Sequence, residues 1–343
     1  MGKAATFVPG WPATARPAGA AGCPCDGPAK RRPIFTEVPL SACLSPDARK
    51  QGMESSSQPY ASPLRASGVI ARASATAMRP AHVALAISMI ALGILGFIYG
   101  DVALVWQRIP IPLGPGQTLL AYACAAIELG TGVGLLVRRS ARPAALVLLV
   151  FLLLWAALLK LPAVVLVPQM EATWLGFGEI AVMLAGGWVL YAAQAGNHAT
   201  ASASFITGPR GIRCARLLFA LALPMIGLSH FFYGEQTAAL VPAWLPSRLG
   251  WAYLTGACSI AASLGVLLAI CPRLAATLQA VMLGVITVLV WCPAIVAAPS
   301  DRTSWTAMVI SFAIASGAWL IADTYRGTPW LAMGRRGSTL PAR

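Results

Sequence analysis

From about residue 82 to residue 326 the chain alternates long apolar runs with short polar breaks. The runs cover about 82–105, 117–137, 143–167, 172–194, 213–235, 249–270, 273–298 and 303–324. Each is close to the roughly 20 residues that a helix needs to cross a bilayer. Spanning strands would leave backbone groups unsatisfied in lipid unless closed into a barrel, so the pattern predicts eight transmembrane helices and an all-α chain. Pro162 and Pro293 fall late in the third and seventh runs and are expected to kink or end those helices. Residues 1–80 carry no sustained apolar period and are rich in Ala, Pro, Ser, Gly and Arg. Such a stretch cannot bury enough surface to offset its ordering entropy, so it reads as a disordered tail. It has no apolar core of signal-peptide length before a small-residue cleavage site. An alternative takes Met53 or Met78 as the start.

The apolar region repeats itself. Phe97-Ile98-Tyr99-Gly100-Asp101 matches Phe231-Phe232-Tyr233-Gly234-Glu235 at a numbering difference of 134. After the loop the difference is 131: Ala121-Tyr122 matches Ala252-Tyr253, and Gly134 matches Gly265. Arg142, Pro162, Pro168, Trp174, Gly186 and Trp188 then match Arg273, Pro293, Pro299, Trp305, Gly317 and Trp319. The reading is two tandem copies, 82–195 and 212–326, with a tail from 327 to 343.

Composition agrees with a membrane protein. Hydrophobic residues make up 58% of the chain and charged residues 10%, against about 25% charged in soluble domains; the mean hydropathy is +0.72. The net charge of +14 suggests nucleic acid at first sight. The arginines lie in alternate loops instead, where topology accounts for them. Arg72 and Arg79 precede the first helix; Arg138, Arg139 and Arg142 follow the second; Arg210, Arg213 and Arg216 follow the fourth. Arg273 follows the sixth, and Arg326, Arg335 and Arg336 the eighth, while the other loops hold Arg108, Arg248 and Arg302. The positive-inside rule therefore puts both termini in the cytoplasm, and a bacterial inner membrane is the expected location. Trp106, Trp174, Trp244, Trp251 and Trp305 cluster at the opposite ends of the helices, as interfacial anchors do.

The second copy resembles the DoxX family of small bacterial membrane proteins. The residues concerned are His230 and Phe231, Trp244-Leu245-Pro246, Trp251-Ala252-Tyr253-Leu254-Thr255-Gly256, and Gly265-Val266-Leu267-Leu268. The resemblance implies a four-helix membrane domain, hence two fused copies here. It also implies a role near thiosulfate:quinone oxidoreductase or another membrane oxidoreductase complex. The family usually has an acid in its second helix. The first copy keeps it as Glu128 but has Gly96 where the second has His230; the second copy has Ser259 in place of Glu128.

Ionisable groups inside a membrane are costly and point to function or pairing. Here they are Asp101, Glu128, Lys160, Glu179, His230 and Glu235. Lys160 and Glu179 read as an ion pair on consecutive helices, with a substrate role as the alternative. Asp101 and Glu235 hold matched helix ends and read as solvated acids. Because each copy retains half of a polar pair, Glu128 and His230 are expected to form one site between copies; the alternative pairs Glu128 with Lys160 and turns His230 to the headgroups. Haem is poorly supported, since the chain has three histidines and only His230 is placed to serve as an axial ligand. Quinone is the cofactor that the resemblance allows. The eight cysteines form no metal pattern, Cys23-Pro-Cys25 lacking a second pair; Cys124, Cys258 and Cys292 read as inert buried thiols, with a Cys258–Cys292 pair on consecutive helices as the alternative. Gly130-Thr131-Gly132-Val133-Gly134 reads as a close-packing stripe rather than a nucleotide loop.

Three functional readings are open. The first is a membrane subunit or accessory protein of a quinone- or thiol/sulfur-linked redox system, with a redox protein as partner besides the bilayer. The second is a small-molecule transporter or channel with a site between two parallel repeats. The third is a non-catalytic scaffold.

Overall fold

The computed structural model describes residues 79–102, 115–196 and 204–334. Nearly all of the predicted tail lies outside them. The described residues hold no strand, only an isolated bridge between Ile270 and Met333. Eight helices are long and apolar enough to cross a membrane. They are α1 (Pro80–Tyr99), α2 (Pro115–Leu136), α3 (Ala141–Leu166), α4 (Glu171–Ala195), α5 (Pro209–Phe232), α6 (Arg248–Leu267), α7 (Pro272–Ala297) and α8 (Arg302–Asp323). The chain is a multi-pass membrane protein.

Local chemistry sets the helix ends. Proline opens α1, α5 and α7, where its missing N–H is no loss. Asp301 caps α8, accepting from the N–H groups of Thr303 and Ser304 at 3.2 and 2.9 Å. Gly100 ends α1 at φ 60°, a left-handed turn that glycine adopts without penalty. The first helix therefore stops at Tyr99, short of the expected 105. The fifth stops at Phe232, and the chain starts a short helix at Gly234–Leu240.

Neither Pro162 nor Pro293 ends its helix. Each is preceded by one wide π turn, Ala156–Lys160 in α3 and Thr287–Trp291 in α7. Proline lacks the N–H that would bond the preceding turn, and its ring crowds the carbonyl there. A π turn shifts that register, so the helices run on to Leu166 and Ala297.

Each helix packs on the next in chain order, and α8 also packs on α1 and on α4. The first helix of each copy thus lies along the last helix of the other: α1 on α8, and α5 on α4. The two last helices cross where Gly186 meets Gly317; a Cβ on Gly186 would stand 2.5 Å from the Gly317 Cα. In lipid there is little hydrophobic drive between helices, so close backbone approach through small residues holds them. Over an 18-residue apolar stretch of each helix, buried residues make up 78% in α4 and 67% in α8, against 17% in α7. α4 and α8 are therefore the central pair, and α7 faces outward.

Matched positions make matched contacts. Trp174 and Trp305 each donate an indole N–H at 2.8 Å, to Pro168 O and Pro299 O. Phe97 stacks on Tyr122 at 5.9 Å between ring centres, and Phe231 on Tyr253 at 5.4 Å. A Cβ on Gly93 or Gly227 would stand 2.7 Å from the carbonyl of Ala125 or Gly256. The helix ends around Arg79 and Gly334 form the near end of the molecule, and the opposite helix ends form its far end. At the near end the segment after α8 folds back on the α6–α7 turn. Cys271 N–H donates to Ala332 O at 2.7 Å, and the Arg273 guanidinium lies 3.9 Å over the Trp330 ring.

Candidate functional site

The far end has two matched corners, and their charges differ. In the first, α1 and α2 meet the start of α8. Arg302 pairs with Asp101 at 3.0 Å and donates to Val102 O at 3.1 Å, with its guanidinium 5.1 Å from the Tyr99 ring centre. Asp101 also accepts from Gln117 at 3.3 Å and from the Val102 N–H at 2.8 Å. Burial alone would raise this carboxyl; the bonds from Arg302, Gln117 and Val102 outweigh it and hold it below the usual carboxylate range. Beneath the clasp, Glu128 is 2% exposed and faces a cleft that Arg302 and Thr306 also line. The cleft leaves about 10 Å³ for an occupant, the least that holds one water. This corner is closed.

In the second corner, α5 meets the start of α4. The numbering difference of 131 puts Glu171 where the first corner has Arg302, since 302 − 131 = 171. An acid thus stands in the cation's place. Glu171 is 8% exposed, and among the described residues neither of its carboxyl oxygens has a hydrogen-bonding partner. The neighbouring Tyr233 hydrogen-bonds the Ala172 backbone; burial and then the Glu171 carboxyl push its phenol up. Glu235, the match of Asp101, is exposed on the short helix after α5.

Glu171 lines a groove of about 420 Å³ between α4 and α5. Its walls are Trp174, Leu221, Met225, Leu228 and Phe232, with Pro224 inside α5 and Pro168 and Gln169 from the turn before α4. Leu221, Leu228 and Phe232 are exposed, so the groove opens on the face that meets lipid. Its volume is in the range of small-molecule sites. Chemically it offers a mainly apolar trough with one buried, unpaired carboxyl and the side chain of Gln169 at its edge.

The residues singled out by sequence fall into separate places. Glu128 belongs to the closed corner with Asp101, which is clasped across copies rather than merely solvated. His230 turns to α6 of its own copy: its Nδ1 lies 2.9 Å from Thr255 Oγ1 and 3.1 Å from Ala252 O. Glu128 and His230 therefore stand in different helix groups. The exchange that suggested a shared site is one of size. Gly96 lies against Ala125, whereas His230 lies against Gly256, where a Cβ would stand 2.8 Å from that of His230. Likewise Ser259 accepts from Gln279 at 3.2 Å, while the matched positions hold Glu128 and the fully buried Leu148. Lys160 and Glu179 act on one another electrostatically, and the Lys160 ammonium lies beside Gly176. Cys258 and Cys292 are both free. Among the described residues no group of His, Cys, Asp and Glu is set to hold a metal.

Sequence reasoning passed over Glu171. Its signal was available: the offset that matches Trp174 with Trp305 also matches Glu171 with Arg302, a reversal of charge. Residues 219–322 match a protein-family profile described as "Domain of unknown function (DUF8561)". No curated protein and no solved structure matches the chain.

Proposed function

We propose that this is a DoxX-like membrane protein that takes a lipophilic small molecule from the bilayer into the α4–α5 groove. We assign it as a membrane subunit or accessory protein of a quinone- or sulfur-linked redox system. The groove supports the first part: it faces lipid, has the volume of a small-molecule site and holds a buried carboxyl that nothing among the described residues satisfies. The DoxX resemblance of the second copy supports the redox link. The arginine-rich near end supports an orientation with both termini in the cytoplasm of a bacterial inner membrane. Reporter fusions at Ile109 and Ser247 should then read as external and those at Ser140 and Phe205 as internal; the inverse pattern contradicts that orientation.

The test of the groove is native mass spectrometry of protein extracted with its surrounding lipid. The native chain should carry a small lipophile at fixed stoichiometry. Leu228→Trp, which fills the trough from its lipid-facing wall, should lose it. An identical set of bound molecules in both proteins would contradict the reading.

A further inference from the structure

The two far-end corners are built on the same frame, so the clasped one shows what the other lacks. In the first corner a guanidinium at Arg302 satisfies Asp101, Val102 O and the Tyr99 ring face. In the second, the matched position is Glu171, buried, with both oxygens unpaired. Leaving a carboxylate unpaired in an apolar setting is costly, and a buried charge is ordinarily paired or neutralised. Lys160 does not serve it: its charge acts on Glu179, and the charged neighbour acting on Glu171 is Glu179, another acid. Apart from the exposed, neutral Gln169, the remaining walls are apolar and aromatic, with Trp174 one helical turn after Glu171 and Phe232 at the end of α5.

We propose that the groove binds a long-chain amine, with its protonated head on the Glu171 carboxylate and its chain along Leu221, Met225 and Leu228. The proposal rests on the groove being a ligand site and names the class of that ligand. The head would take the role that Arg302 has in the other corner. An ammonium beside a buried carboxylate makes charge-assisted hydrogen bonds that a neutral head cannot match. Trp174 and Phe232 offer it ring faces as well. An anionic head would stand against Glu171 and Glu179 and is rejected.

The experiment uses the full chain in phosphatidylcholine nanodiscs, with dodecylamine and dodecanol as probes and protein-free discs as the reference. The two share a chain and differ in the charge of the head. Dodecylamine should bind at least about tenfold more tightly than dodecanol. Glu171→Gln removes no bond within the protein; it should cancel that preference and leave dodecanol binding within about twofold. Glu171→Asp, which keeps the charge, should retain the preference. Leu228→Trp should remove both ligands. Equal binding of the two probes by the native chain, or a preference that survives Glu171→Gln, overturns the amine assignment alone. Failure of both probes to bind saturably overturns the groove as a ligand site, and the amine with it.

Discussion

At the scale of single residues, the Asp101–Arg302 clasp is the clearest polar tie between the two copies. Both side chains are partly exposed, 33% and 26%, so solvent screening limits the pair to about 1 kcal/mol or less. Its pH dependence has a definite sign. The folded carboxyl is held below its ordinary value, so the clasp stabilises fully above the unfolded carboxylate pKa, about 3.9. The contribution disappears as pH falls through the lowered folded value. Melting temperatures measured from pH 6 to pH 3 should fall further for the native chain than for Asp101→Asn. Parallel curves would show that the pair contributes nothing. Glu171 is the contrasting residue: the same frame position, the opposite charge and no partner.

At the scale of helices, packing rests on a few glycines, and the structure separates those that matter from those that do not. Gly186 sits on Gly317 where α4 and α8 cross. Gly186→Ala would push a methyl into backbone, a clash that costs about 1–3 kcal/mol by overpacking. Gly130, by contrast, has no neighbour within 4 Å of where its Cβ would be. Gly130→Ala should be neutral or stabilise by up to about 1 kcal/mol through helix propensity. Thermal unfolding in detergent checks both; similar effects at the two sites would contradict the crossing described. The stripe from Gly130 to Gly134 was legible in the sequence as a packing surface, but not which of its members pack. Gly132 and Gly134 do, against Ile90 and Ala144, while Gly130 does not. The eight helices themselves were legible to within a few residues, because apolar length alone sets them. Their ends were less so. Gly100 and Tyr233 stop α1 and α5 inside apolar runs that continue past them, and π turns carry α3 and α7 through prolines.

At the scale of the whole molecule, the repeat and the way it folds are different kinds of information. Matched Tyr-Gly-acid, Pro, Trp and Gly positions revealed two copies in the sequence. Nothing in a one-dimensional pattern says that α1 lies on α8 and α5 on α4. The contacts are made in space: Gly178 of α4 lies against Ala222 and Ile226 of α5, and Gly186 sits on Gly317 where the two last helices cross. That exchange is also why Glu128 and His230, half a polar pair each in the sequence, end up in different helix groups. The functional contrast comes from the same frame: one corner closed by a cation from the other copy, the other left open with an acid. The most direct measurement of that contrast is photolabelling in nanodiscs with a long-chain amine carrying a diazirine in its tail, mapped by peptide mass spectrometry. Labels that excess dodecylamine competes away should fall on residues 168–174 and 221–232. The matched segments of the closed corner, 299–305 and 87–98, should show only uncompeted labelling from the bilayer. Equal, competed labelling of both corners would contradict the account.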